Sequence, residues 1–401
     1  MPRVLLVGWR EPSARALAHQ GAEVVCLHSM QHAAAVAESE WVSDSTAVDD
    51  VTSAEEVLYA ASQLAIDYGR FDAICSGSEF PLVAAAVAHD VLGGFGLPTS
   101  VALRLRDKYT QKAAVRAAGL LVADTRIHTN ESPPSNSAGP PARFPAVVKP
   151  LAGGGAASTF VVATDEDLVA RTAGRSRWLV ESYVEGLELQ IDGVVRGGEL
   201  TLLTVSRYLD NLITIHDGQL AGAVVIPPSE DPDLYRRATD LCERALASLG
   251  HTEGVFHLEA FDTETGLVFS ECAGRVSGGS ADEAIRLSTG QDIHDEWAKS
   301  VLERPTDARM SWSSRAFGDV QLPAPSGVIE RIPSVELLTQ RSGVESARVH
   351  LEVGETMGDA TQASDVRAAT VVLGGESSAH VRASIYELAE WFAANVVTRS
   401  T

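Results

Sequence analysis

The chain has 401 residues, 45% hydrophobic and 21% charged, a size and balance that suit about two or three globular domains with no covalent staples. With 32 basic residues against 54 acidic, its formal charge is −22, which argues against sequence-independent nucleic-acid binding and adhesion to anionic lipid but not against a local basic pocket. Cys26, Cys75, Cys242 and Cys272 lack metal-ligand spacing, no stretch approaches the ~18 apolar residues of a membrane span, and the apolar run in MPRVLLVGWREP is too short for a secretion signal, so reduced thiols in a cytoplasmic protein are expected.

Residues 4–8, 23–27 and 71–75 read as short strands, and 12–20, 54–67 and 81–92 as helices, a βαβ rhythm that predicts a parallel sheet. The first turn, GWREPS, has a single glycine and lacks the spaced glycines of a dinucleotide site, so this unit is Rossmann-like in shape without an NAD site. Residues 104–118 read as a helix stopped by Gly119, and TNESPPSNSAGPPA (129–142) as a connector or surface loop. Then the texture changes: 144–149, 159–163, 178–183, 187–195, 200–206 and 222–226 are short Val/Leu/Ile/Thr-rich segments between polar turns, which predicts antiparallel sheet. A helix over 234–249 precedes two strands, 254–261 and 267–271, joined by DTETG, and a smaller α+β unit beyond about 320 ends in a helix over 379–395.

Five elements carry chemistry. Arg106-Asp107-Lys108 opens a helix, and Val147-Val148-Lys149 is an apolar strand ending in a cation suited to phosphate. Gly153-Gly154-Gly155 with Ser158 can close backbone N–H groups over an anion, although no GK[ST] follows as in a P-loop. The fourth is Glu181 to Glu188, ESYVEGLE. The fifth is a hairpin bearing Glu259 and Glu271, where two carboxylates in otherwise apolar strands suit Mg²⁺ shared with phosphate oxygens, followed by Arg275 and by Gly278-Gly279. Taken singly each has a plain structural explanation: a flexible turn, a solvated lysine, a glutamate paired with an arginine.

In order and spacing the set resembles the ATP-grasp superfamily, and within it the carboxylate–amine ligases that include L-amino-acid ligases. The resemblance runs from about residue 70 to 380 and rests on 78–120, VVKPLAGGGAAS, ESYVEGLE and HLEAFDTETGLVFSECAGR. It implies an α/β and α+β architecture in which ATP lies between two antiparallel sheets. A Rossmann-like N-terminal domain (1–100) would precede a small lid subdomain (101–185) and a large C-terminal domain (186–401) that includes the α+β part from about 320. It assigns Lys108 and Lys149 to the ATP phosphates, and Gly154, Gly155 and Ser158 to the loop closing over them. Glu181 and the Val184 backbone go to the adenine edge, Glu188 to ribose, Glu259 and Glu271 to Mg²⁺, and Arg275 to an acyl phosphate. Where many members carry a metal-ligating asparagine this chain has Ala273, a change that agrees with the amino-acid-ligase branch and bears on whether one or two ions bind, Mn²⁺ being able to stand in for Mg²⁺.

The implied reaction joins a small carboxylate, such as an amino acid, to an amine, with ATP converted to ADP and phosphate through an acyl phosphate. His257, Arg207 and Gly278 are further candidates for substrate contact, with His257 equally explained as a buried sheet histidine and Arg207 better explained as a strand surface charge. Neither a nucleic acid nor a membrane is expected as partner; a homodimer is expected by resemblance. The competing readings are an ATP-grasp ligase of another bond type, such as acyl thioester or carrier-protein acylation, and a nucleotide-binding module without turnover.

Overall fold

The computed structural model describes residues 1–129, 143–174, 177–306 and 310–399, so nearly all of the Pro/Ser/Gly-rich stretch 129–142 lies outside it. The first unit contains β1 (Arg3–Val7), α1 (Glu11–His19), β2 (Glu23–Ser29), α2 (Ala33–Ala37), β3 (Asp44–Val48), α3 (Ala54–Tyr68) and β4 (Ala73–Cys75). Its strands are all parallel, in the order β3-β2-β1-β4. Alternate side chains of β1 serve opposite cores: Leu5 and Val7 pack with α3, while Val4 and Leu6 pack towards α1 and a later helix, which is why the strand is apolar throughout. The edge strand β3, DSTAV, is half-exposed and polar, and carries no sequence signal of its own.

Helices α4 (Leu82–Leu92), α5 (Thr99–Arg106) and α6 (Lys108–Ala117) follow. The single helix expected over 104–118 is two. The break is Asp107, whose backbone is extended and whose carboxylate accepts from Thr110 N at 2.6 Å, capping α6. Strands β5 (Thr125–Thr129), β6 (Ala146–Lys149), β7 (Phe160–Val162) and β8 (Arg177–Ser182), with α7 (Asp165–Thr172) between the last two, make an antiparallel sheet in the order β5-β8-β6-β7.

The rest is built on one large antiparallel sheet. Its parts are β9 (Leu187–Arg196), β10 (Glu199–Tyr208), β11 (Ala221–Val225), α8 (Pro232–Leu249), β12 (Glu253–Thr263), β13 (Gly266–Ala273), α9 (Ala281–Thr289), α10 (Ile293–Val301) and β14 (Ala316–Leu322). Then come β15 (Gly327–Arg331), α11 (Val335–Thr339), β16 (Val344–Val349), β17 (Thr356–Met357), β18 (Ala369–Gly375), α12 (Ser378–Asn395) and β19 (Val397–Arg399). The eight strands run β13-β12-β9-β10-β11-β14-β18-β16, so the chain beyond 316 largely continues this sheet, and only β15, β17 and β19 form a small one of their own. Helix α8 covers one face, burying Leu234, Ala238, Leu241, Ala245 and Leu249 at helical spacing between an Asp231 cap and Gly250 in the left-handed region. The described cysteines are unpaired, and no described helix is long and apolar enough to cross a membrane.

Candidate active site

A cavity of about 560 Å³ opens between the four-stranded sheet and the large sheet. Its floor is the β12–β13 hairpin. Glu259 and Glu271 stand directly opposite each other in register, while the next pair is Ala260 with Phe269, so Ser270 is an extra, bulged residue. Directly opposed residues of an antiparallel pair face the same side, and both carboxylates line the cavity. The bulge also frees the Ser270 carbonyl, which accepts from Lys112 Nζ at 2.5 Å.

Helix α6 is fastened to this edge strand by a side chain that imitates a neighbouring strand. The Gln111 amide donates to Cys272 O at 2.6 Å and accepts from Cys272 N at 2.9 Å. That places Lys108 and Lys112, one turn apart, beside the hairpin. Lys108 pairs with Glu271. Lys112 and Lys149 grip Glu181 from two sides at 2.9 and 2.5 Å. Burial pushes the Glu181 carboxyl up, but the two lysines outweigh it and hold it at about 2. Glu271 is likewise raised by burial and brought down by Lys108 and Lys149 to about 2. Burial lowers Lys112 to about 8 despite Glu181.

Beside this cluster Glu259 accepts from Tyr208 Oη at 3.2 Å and lies 3.5 Å from His257 Nε2. The other ring nitrogen of His257 meets Asp192 at 3.0 Å, and Gln190 donates to the second Asp192 oxygen at 2.7 Å. Burial lowers the imidazole pKa, but Asp192 overrides it and raises His257 to about 9. Glu188 accepts from Leu212 N at 2.6 Å; burial and then the Glu259 charge push it up to about 8.

The other end of the cavity is assembled across the molecule. Glu79, in the loop after β4, pairs with Arg106 and holds the Arg275 guanidinium through two contacts of 2.6 and 2.7 Å. Arg10, from the GWREP turn, donates to the carbonyls of Val276 and Ser277 at 2.9 and 2.8 Å and to Gly77 O at 3.1 Å. The N-terminal unit thus fixes the loop that presents Arg275.

Comparison with known proteins bears on the fold. No protein-family profile matches the chain. The L-arginine-specific L-amino acid ligase of Bacillus subtilis is 23% identical over 337 residues, 81% of this chain and 80% of its own. The crystal structure of an L-amino acid ligase from Bacillus licheniformis superimposes with a TM-score of 0.81 at 16% identity, covering 100% of this chain and 99% of that one. The biotin carboxylase domain of Hydrogenobacter thermophilus 2-oxoglutarate carboxylase, solved as a dimer with MgADP, gives a TM-score of 0.69 at 17% identity over 98% of this chain and 91% of that one. The chain has the ATP-grasp fold.

Within that ATP-grasp fold the cavity gathers most of the residues singled out from sequence: Lys108, Lys149, Glu188, Glu259, Glu271 and Arg275. Gly154, Gly155, Glu181, Val184, His257 and Gly278 also line it. Two do not reach it. Arg207 lies on the face of β10 opposite to Tyr208, as strand alternation requires. Ser158 stands outside the wall that its neighbours Ala157 and Thr159 form, with a left-handed φ of 58°. The Glu181 carboxylate is held between two lysines, and Tyr183 and Val184 line the cavity beside it. Ala273 is buried opposite His257.

Sequence reasoning missed Lys112, Glu79, Arg10 and Asp192, and singled out Arg106 without a role. Lys112 could have been found from its i+4 spacing to Lys108 on an amphipathic helix. Glu79 and Arg10 carried no local signal. Among the described residues no three or more His, Cys, Asp or Glu side chains are grouped to hold a metal by themselves. Two opposed carboxylates on one cavity wall, one of them neutralised by a lysine, do fit a Mg²⁺ ion that takes its remaining ligands from phosphate and water.

Proposed function

We propose that this chain is an ATP-dependent carboxylate–amine ligase acting on amino acids or similar small carboxylates through an acyl phosphate. The observation that carries the proposal is one cavity in which Lys108, Lys112 and Lys149 face the Glu259–Glu271 pair, with a buried, immobilised Arg275 alongside. Lys108 and Lys149 take the ATP phosphates, exchanging their glutamate partners for phosphate oxygens, and the Gly153–Gly155 backbone closes over them. Main chain of 182–184 meets the adenine edge. Glu188 accepts hydrogen bonds from the ribose hydroxyls. Glu259 and Glu271 would hold one Mg²⁺, two if substrate and water complete a second shell; bound there, the ion offsets phosphate charge, and Mn²⁺ can replace it.

A carboxylate repels nucleophiles until an oxygen is phosphorylated. The substrate oxygen attacks the γ-phosphorus, ADP leaves, the amine attacks the acyl carbon, and phosphate departs, taking up the amine's proton. No protein nucleophile is needed, so the chain's work is positioning and charge. Lys149 and Arg275 face the oxygens on which charge grows, and Glu79 keeps Arg275 from turning away. The glycine loop and the segment around Ser364, whose N donates to Gly155 O at 3.1 Å, shut out water that would hydrolyse the acyl phosphate.

Phosphate release measured over pairs of amino acids, with mass detection of products, tests this. Amine-dependent ADP formation with a matching condensation product is expected. ADP formed with thiols and not amines would point to a thioester-forming ligase; tight ATP binding with no ADP across the panel would point to a module without turnover. A homodimer, the assembly named for the biotin carboxylase domain, and a cytoplasmic location belong to the same proposal; light scattering reads the first.

A further inference from the structure

Among the described residues, one buried carboxylate on the cavity wall has neither an ion-pair partner nor a place in the scheme above. Glu79, Glu181 and Glu271 are each paired with Lys or Arg, Glu259 with Tyr208 and His257, and Glu188 with the Leu212 amide. Asp319, on β14, is 4% exposed and has no Lys, Arg or His nitrogen within ion-pair distance among the described residues. It lies four strands from β12 in the large sheet, about 19 Å along it at ~4.8 Å per strand, and so at the opposite end of the cavity from the nucleotide cluster. Burial pushes its carboxyl up to about 7, offset in part by the Ser280 amide, which donates at 3.1 Å.

The surroundings are built to keep this carboxylate open on one side. A Cβ on Gly279 would stand 2.6 Å from Asp319 Oδ2, and a Cβ on Gly278 would meet nothing within 4 Å, so bare backbone frames the acid and free space lies beside it. Arg367, a cation on the same wall, is turned to Gln321 Oε1 at 3.2 Å and Asp365 O at 3.3 Å. The loop that frames Asp319 is the one that presents Arg275, only a few residues upstream. Asp319 and Arg275 thus line the same cavity, on either side of the Gly278-Gly279 turn. A buried acid held by backbone amides but without an ion pair costs free energy unless a ligand supplies the counter-charge.

We infer that Asp319 is a specificity-determining residue that receives a protonated amine of the substrate, so that the site selects ammonium-bearing carboxylates over neutral ones. The inference rests on the ligase reading for the identity of the molecule but not for its binding. The cation is either the α-ammonium of an amino acid or an ω-ammonium on its side chain, and one set of probes separates the two.

The experiment is calorimetric titration of the full chain, loaded with MgADP, by L-lysine, L-norleucine, 6-aminohexanoate and hexanoate, and by the shorter set L-alanine, β-alanine and propanoate. At least one ammonium compound should bind about 10- to 100-fold more tightly than its des-amino carboxylate, and Asp319→Asn should erase that margin while Asp319→Glu retains part of it. Norleucine or alanine carrying the margin assigns an α-ammonium; 6-aminohexanoate or β-alanine carrying it assigns the ω position. MgADP affinity should be the same in all three proteins, which shows that the variants are folded. The inference is overturned if no ammonium compound outbinds its des-amino partner in either set, or if Asp319→Asn keeps the margin. A wild type that binds as expected yet forms no ADP with any amine would instead remove the ligase reading and leave the ammonium site standing.

Discussion

The two ends of the cavity were built in different ways. At the proposed nucleotide end, three lysines, Lys108, Lys112 and Lys149, share two buried acids, Glu181 and Glu271, so the cations are held in place before any phosphate arrives. At the other end, Arg275 is locked by Glu79 from the N-terminal unit, Arg10 ties down the following loop, and Asp319 has no ion-pair partner among the described residues, Arg367 acting on it only at longer range. The first end is a set of charges waiting to exchange partners. The second is a rigid frame with one charge left unanswered. On the proposed reading, the difference teaches that anion binding is prepared by temporary internal partners, whereas substrate choice is prepared by a buried acid without an ion pair.

Substitutions at the two ends should therefore fail differently. Glu271→Gln removes a carboxylate of the opposed pair and should reduce amine-dependent ADP formation by at least about 10³-fold in steady-state assays, with the circular dichroism spectrum unchanged. Glu79→Gln leaves the nucleotide end intact but frees Arg275 and Arg106. We expect kcat/KM to fall about 10²-fold with ADP affinity nearly unaltered, and the melting temperature to drop because two buried guanidinium groups lose their acid. Lys149→Ala should show the reverse pattern, weakening nucleotide affinity by about 10- to 100-fold in calorimetry as well as slowing turnover.

A smaller effect separates charge from geometry. Glu188 has its pKa raised from 4.5 to about 8, so its ionised form burdens the folded protein. That cost is absent below about 4.5, grows as pH rises to about 8, and is constant beyond. Glu188→Gln should accordingly stabilise the unliganded protein, by about 1–3 kcal/mol in denaturant titrations at pH 8 and by nearly nothing at pH 4. Asp107→Ala, which removes only the cap that starts α6, should cost about 1 kcal/mol and modestly weaken nucleotide binding.

That the lysines, the glycine run and the two hairpin acids gather in one cavity was largely legible in the sequence because the parts are short contiguous segments. A strand-end lysine, a glycine run and a hairpin with two acids keep their chemistry within a few residues, and strand alternation then sets which side chains face the cavity. Arg207 illustrates the limit of that reading, since only the phase of β10 puts Tyr208 in and Arg207 out. The substrate end was poorly legible because its contacts join Glu79 to Arg275 and Arg10 to Ser277 across much of the chain, and nothing local marks such a partner. Asp319 was passed over as well, although it stands in the largely apolar strand AFGDVQL, where pairing or a ligand must compensate burial of a charge. Likewise β3 and the break at Asp107 escaped notice because one is a polar edge and the other a single capping residue.

The account stands on the opposed acids of the β12–β13 hairpin, and a crystal structure with Mg²⁺ and a non-hydrolysable ATP analogue tests it most directly. We predict metal density between Glu259 and Glu271, with the analogue's phosphates on Lys149 and Lys108 released from Glu271. Metal bound away from both glutamates, or a nucleotide seated outside this cavity, would contradict it.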